Sequence, residues 1–155
     1  MEKIASFTVN HLDLYPGIYV SRKDNVNGNV ITTFDLRMTK PNDEPVMNTA
    51  EIHTIEHIGA TFLRNHKEYA SKTIYFGPMG CRTGFYLVVR NIANDDAINL
   101  VLNSMKFIEN FKGEIPGATE IECGNYKEHN LQKANSYAEY MRKILENYTA
   151  DMLKY

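Results

Sequence analysis

Cysteine is scarce in this chain: Cys81 and Cys123 are the only two in 155 residues. That is too few for a disulfide framework, and in a reducing compartment both are thiols open to chemistry. Charge of one sign is also missing, since 17 Lys and Arg stand against 19 Asp and Glu and form no basic stripe. Nucleic acid is therefore not an expected partner. No apolar run approaches the length of a membrane span, and Met1 to Leu12 has no apolar core behind its single lysine. Neither a membrane partner nor a secretory signal is expected, and a cytoplasmic address follows. Repeats, low-complexity tracts and linkers are absent as well, so the expected organisation is one domain, 1–155, able to bury a core unaided.

What is present begins with strand signals. Tyr15 to Ser21 and Val30 to Thr39 are rich in β-branched and aromatic residues, and the Asp24 to Asn29 stretch between them supplies residues that tolerate positive φ. A hairpin is expected there. Lys72 to Phe76 and Gly84 to Asn91 read as two more strands around an irregular Gly77 to Thr83 loop that carries Cys81. Asn48, followed by Glu51, predicts a capping box and a helix to about His66. Asn94-Asp95-Asp96 opens a second helix through Phe111. A third is expected from about Tyr126, placing Cys123 just before its N-terminus. Antiparallel strands with helices grouped around them make an α+β domain, a small antiparallel sheet packed against α-helices.

The chemistry lies in the first helix. His53-Thr54-Ile55-Glu56-His57 is an H-x-x-E-H pattern, in which residues four apart are neighbours and two imidazoles can reach one cation. Glu56 falls to one side of them, placed to act as a general base. Two histidines leave the site short of a ligand. Cys123 is attractive because a helix dipole favours its thiolate, and Cys81 competes for the role, with its neighbour Arg82 equally able to make it a reactive acid or base. Spacing alone does not separate the two thiols. His66 and His129, near helix ends, are expected to face solvent or to cap, and His11 has no place by pattern.

Taken together, these residues resemble the S-ribosylhomocysteine lyase (LuxS) family from end to end. The resemblance rests on Ser6-Phe7 with His11, on Pro16 to Arg22, on Phe34 to Arg37 followed by Lys40-Pro41-Asn42, and on His53 to His57. It continues through Pro78 to Tyr86 and ends at Cys123-Gly124-Asn125 with His129. It implies a metal site of His53, His57 and Cys123, ferrous iron being the first expectation and zinc or cobalt the alternatives, with Cys81 and Glu56 as the acid/base pair. By the same likeness Arg82 tunes the thiol, while Ser6, His11 and Arg37 line the substrate pocket, Arg37 facing a carboxylate. The implied substrate is S-ribosylhomocysteine, cleaved to homocysteine and 4,5-dihydroxy-2,3-pentanedione, precursor of a furanosyl signalling molecule. A homodimer with sites at the subunit interface is implied too. Tyr75 and Gly77 depart from the pattern, where an acidic residue and a serine are expected.

Two other readings of the same residues stand beside it. An inverted-motif zinc peptidase would use Glu56 to activate water and take Glu120, Glu122 or Glu128 as third ligand. A non-catalytic metal-binding or sensing module would close its site with Cys81 as a fourth ligand.

Overall fold

Asn27 and Gly28 both take positive φ, +48° and +78°, the conformation a two-residue hairpin turn demands. This computed structural model describes residues 1–155, apart from the side chain of Ala5. The turn joins β1 (Gly17–Val26) to β2 (Asn29–Arg37), so the strands run closer to the tip than composition suggests. β3 (Thr73–Pro78) and β4 (Gly84–Arg90) form the second hairpin, and β4 pairs with β2 to give a four-stranded sheet ordered β1-β2-β4-β3, antiparallel throughout.

Alternation along β2 decides what each face does. Phe34 and Leu36 join Ile18, Phe85, Leu87 and Val89 in the core. Asp35 and Arg37 point to the other face, and they too are buried. Helix α1 (Thr49–Arg64) packs on the sheet through Ile52, Ile55 and Ile58, each side chain contributing about 1.5–3 kcal/mol by leaving water. Gly59 on the same helix has no β-carbon, and the ring of Phe76 from β3 lies in that space. The capping residues behave as read: the Asn48 N–H donates to Glu51 Oε1 at 2.7 Å.

Helix α2 (Asn94–Glu109) buries Ile98, Val101, Met105 and Ile108, while Phe107 is left partly exposed. Its cap is Ala93, so Asn94 is the first helical residue and its side chain makes no capping bond. The larger difference concerns α3, which runs Leu131–Leu145. Asn130 is its cap, accepting from the Lys133 N–H at 3.0 Å, and the residues from Tyr126 to Asn130 are not helical. Their backbone is claimed by α1: the Glu128 carbonyl lies 3.0 Å from His53 Nδ1, and the Asn130 N–H donates to Thr54 Oγ1 at 2.9 Å. Tertiary hydrogen bonds outcompete the helical ones, and Cys123 is left in a turn, away from any helix N-terminus.

At Gly84 a β-carbon would press into the Leu36 carbonyl and the Arg37 Cα of the paired strand. Gly84→Ala should therefore lower unfolding stability by about 1–3 kcal/mol, read as a fall in the urea midpoint at unchanged slope.

Candidate active site

α1 brings the two motif histidines one turn apart, their rings edge to face with centroids 4.5 Å apart. Their aim comes from outside the helix. His53 Nδ1 lies 3.0 Å from the Glu128 carbonyl oxygen and His57 Nδ1 2.7 Å from that of Pro116. A carbonyl can only accept, so each Nδ1 carries the hydrogen and each Nε2 keeps its lone pair. The two lone pairs converge on Cys123, whose Sγ is 3.3 Å from His53 Nε2 and 3.8 Å from His57 Nε2. Donors around one tetrahedral cation, with bonds of about 2.0–2.3 Å, sit roughly 3.5 Å from one another, so the three fit a shared ion. A thiolate and two imidazoles suit a transition metal better than calcium or magnesium. With the helix dipole absent at Cys123, its sulfur instead accepts the Asn125 N–H at 3.4 Å and lies between the two rings.

The fourth member of this cluster is His129, not Cys81 or a carboxylate. Its ring lies face to face with that of His53, centroids 4.1 Å apart and planes 18° apart, and its Nδ1 is 3.2 Å from Thr54 Oγ1. Burial, then the neighbouring imidazoles, hold it below the usual histidine range. The helix expected from Tyr126 places this residue near a solvated end. Its place in the same short segment as Cys123 was the available signal, obscured by the helix expected from Tyr126. His66 caps as read, accepting the N–H groups of Glu68 and Tyr69. Glu122 binds Thr119 and Glu128 binds Thr49 and Asn125, so neither of these carboxylates joins the histidines. Glu120 is likewise outside the cluster.

Glu56 lines one hollow with His53 and Arg82 and another with His57. Among the described residues its carboxylate makes no hydrogen bond or ion pair. Cys81 belongs to a different pocket, of about 310 Å³, lined with Ser6, His11, Arg37, Tyr86 and Tyr155. The two hollows share a wall, Pro78-Met79-Gly80. His11 is oriented there by Nδ1, 3.0 Å from the Val9 carbonyl.

A buried chain of polar groups feeds the Cys81 sulfur. Asp35 Oδ2 accepts from Arg37 at 2.5 Å and from the Tyr155 hydroxyl at 2.9 Å. Arg37 Nη1 donates to Thr83 Oγ1 at 2.6 Å and reaches Cys81 Sγ at 3.8 Å. Thr83 Oγ1 accepts from Arg37, which leaves its single hydrogen for the sulfur 3.1 Å away. Partial burial pushes the Cys81 thiol up, but the hydroxyl and backbone of Thr83 and the charge of Arg37 outweigh it, and the net shift is downward. The guanidinium that reaches this thiol is that of Arg37. Arg82, at φ +61°, turns its chain into the Glu56 hollow instead. Thr83 was not singled out by sequence, although it stands two residues beyond the cysteine.

The sequence profile described as S-Ribosylhomocysteinase (LuxS) matches residues 4–152. A protein of Clostridium acetobutylicum is 61% identical over 156 residues, spanning 100% of this chain and 99% of its own length. Relatives from Clostridium beijerinckii and Desulfotalea psychrophila are 56% and 52% identical with the same coverage. All three carry the name S-ribosylhomocysteine lyase. The chain, with its converging His53, His57 and Cys123 and its tuned Cys81, belongs to the LuxS family of S-ribosylhomocysteinases.

Proposed function

We propose that this protein is a carbon–sulfur lyase that splits S-ribosylhomocysteine into homocysteine and 4,5-dihydroxy-2,3-pentanedione, acting as a single domain of residues 1–155 in the cytoplasm. The observation that carries this reading is the convergence of two imidazole lone pairs on one cysteine sulfur, within a chain so close to proteins bearing that name. His53, His57 and Cys123 hold one divalent cation per subunit, ferrous iron before zinc or cobalt. A cation held by these residues would supply Lewis acidity toward the sugar oxygens.

The remaining steps fall to the protein's own groups. Cys81, as thiolate, takes a proton from one sugar carbon and returns it to the next, and Glu56 moves protons between the oxygens, so the carbonyl migrates along the chain. When the carbonyl stands two carbons from the sulfur, removal of the intervening proton expels homocysteine as a thiolate. Neither water nor a redox partner is consumed. Ser6 and His11 line the thiol pocket and hold substrate. Arg37 stands beside them, but its bonds to Asp35 and Thr83 make thiolate stabilisation its first task. Both cysteines are free, consistent with a reducing compartment where neither is needed for a disulfide.

Within one protomer, Cys81 and Glu56 face different hollows across the Pro78-Met79-Gly80 wall. A homodimer that seats one protomer's thiol pocket against its partner's histidine hollow unites them. Phe7, Leu12 and Tyr15 support this arrangement: all three are more than half exposed, on the same segment as Ser6 and His11. That apolar rim suits a subunit interface.

Anaerobic reconstitution with ferrous ion, followed by S-ribosylhomocysteine and titration of released thiol, is the direct assay. Cys81→Ala should retain one metal per chain and lose turnover by at least about 10²-fold, the scale of a general acid/base contribution. Loss of the metal with Cys81 would instead indicate a closed, non-catalytic site, and peptide cleavage without thiol release would indicate the peptidase. Thr83→Val removes the donor that depresses the thiol. The pH of half-maximal alkylation at Cys81, followed by peptide mass spectrometry, should move upward, as should the acid limb of kcat/KM. Mixing inactive Cys81→Ala with inactive Glu56→Gln subunits should restore about a quarter of wild-type turnover if each site draws on both protomers, because half the dimers then hold one intact site of two. No recovery would place both residues in one protomer's site.

A further inference from the structure

His129 brings a fourth donor atom to within 4.8 Å of the other three, which on distance alone makes it a ligand. The orientation of its ring argues otherwise. A cation bound by an imidazole lies in the plane of that ring, along the nitrogen lone pair. The rings of His53 and His129 are stacked, 4.1 Å between centroids and 18° between planes. An ion in the plane of one is therefore displaced from the plane of the other by most of a stacking distance. His53 is already committed by its hydrogen bond to Glu128 and its approach to Cys123. His129 is the ring left out of the coordination plane.

Its protonation pattern follows from Thr54. The Thr54 hydroxyl has one hydrogen, and it donates that hydrogen to the Ala50 carbonyl at 2.8 Å. It accepts the Asn130 N–H at 2.9 Å. Only an acceptor site remains for His129, so Nδ1 carries the hydrogen and donates it to Thr54 across 3.2 Å. Nε2 is then a bare lone pair. It is buried and has no hydrogen-bond partner, a costly condition for a polar atom unless a bound group completes it.

We propose that His129 is a hydrogen-bond acceptor for an O–H group held inside the metal cluster: a water in the resting protein and a hydroxyl of the bound sugar in the substrate complex. The group it selects is a donor on a polyol, adjacent to the position the cation polarises, and the Thr54 hydroxyl keeps the lone pair pointed at it. This inference rests on the lyase reading for the identity of the sugar, but not for the division of the cluster into three ligands and one acceptor.

The test compares His129→Gln, whose amide oxygen can reach the position of Nε2, with His129→Asn, which can keep the bond to Thr54 but stops short, and His129→Phe, which keeps only the stacking. Each is loaded with cobalt(II), and metal content and the visible ligand-field spectrum are recorded before any assay. All three should bind one cobalt per chain with wild-type band positions. Turnover should fall by about tenfold or more in the Asn and Phe variants, the worth of one hydrogen bond, and Gln should recover most of it. Cobalt loss or displaced bands in Asn and Phe would make His129 a ligand and overturn the proposal. Equal turnover in Gln and Asn, at any level, would reduce the residue to packing and overturn it as well. Absence of thiol release from the wild-type protein would overturn the lyase reading itself, and the cobalt spectra would still decide whether His129 coordinates.

Discussion

The arrangement of the candidate site depends on a strap: the loop from Pro116 to Asn130 is tied to one face of α1 by its own backbone groups. The Pro116 and Glu128 carbonyls take the Nδ1 hydrogens of His57 and His53, and the Thr54 hydroxyl takes the Asn130 N–H. The same contacts fix the tautomer of each ring, point its free nitrogen inward and bring Cys123 to it. The fold and the aim of these donor atoms are thus set by one group of hydrogen bonds, and a change that loosens the loop also disorders His53, His57 and Cys123.

A second constraint runs beneath the thiol. Asp35 and Arg37 are nearly sealed from solvent, and a buried ion pair gains little net stability from its own attraction. Removing one partner alone is another matter, costing about 3–5 kcal/mol by stranding the other charge. The pair therefore persists through mutual dependence. It holds a positive charge next to Cys81, where a solvated arginine would be screened. Tyr155 completes the arrangement by donating to Asp35 and stacking on Tyr19 with centroids 5.1 Å apart. Burial and the nearby carboxylate raise the Tyr155 phenol well above its usual range, so it remains a donor at any physiological pH.

Much of this was legible in the residues because the signals were local. The hairpin turn between Asp24 and Asn29, the Asn48 and Glu51 cap and the β-branched enrichment of Val30 to Thr39 each depend on neighbours a few positions away. The H-x-x-E-H spacing likewise specifies two adjacent imidazoles without help from elsewhere. What escaped was set by contacts distant in sequence. Tyr126 to Asn130 has no local reason to avoid a helix, and only α1, some seventy residues earlier, takes its hydrogen bonds away. The guanidinium beside Cys81 is likewise set by a contact distant in sequence. Arg82 is adjacent in sequence, but strand pairing of Arg37 with Gly84 brings the other guanidinium to the sulfur.

One packing detail at the edge of the thiol region constrains how this chain can change. The Tyr75 side chain folds back over Gly77, so closely that its hydroxyl and ring occupy the place of any β-carbon there. Tyr75 and Gly77 are thus one packing unit. A serine at 77 collides with the tyrosine unless residue 75 becomes smaller or swings away. A side chain at position 77 therefore requires the exposed end of Tyr75 to swing aside, so the two positions are coupled through the volume they share.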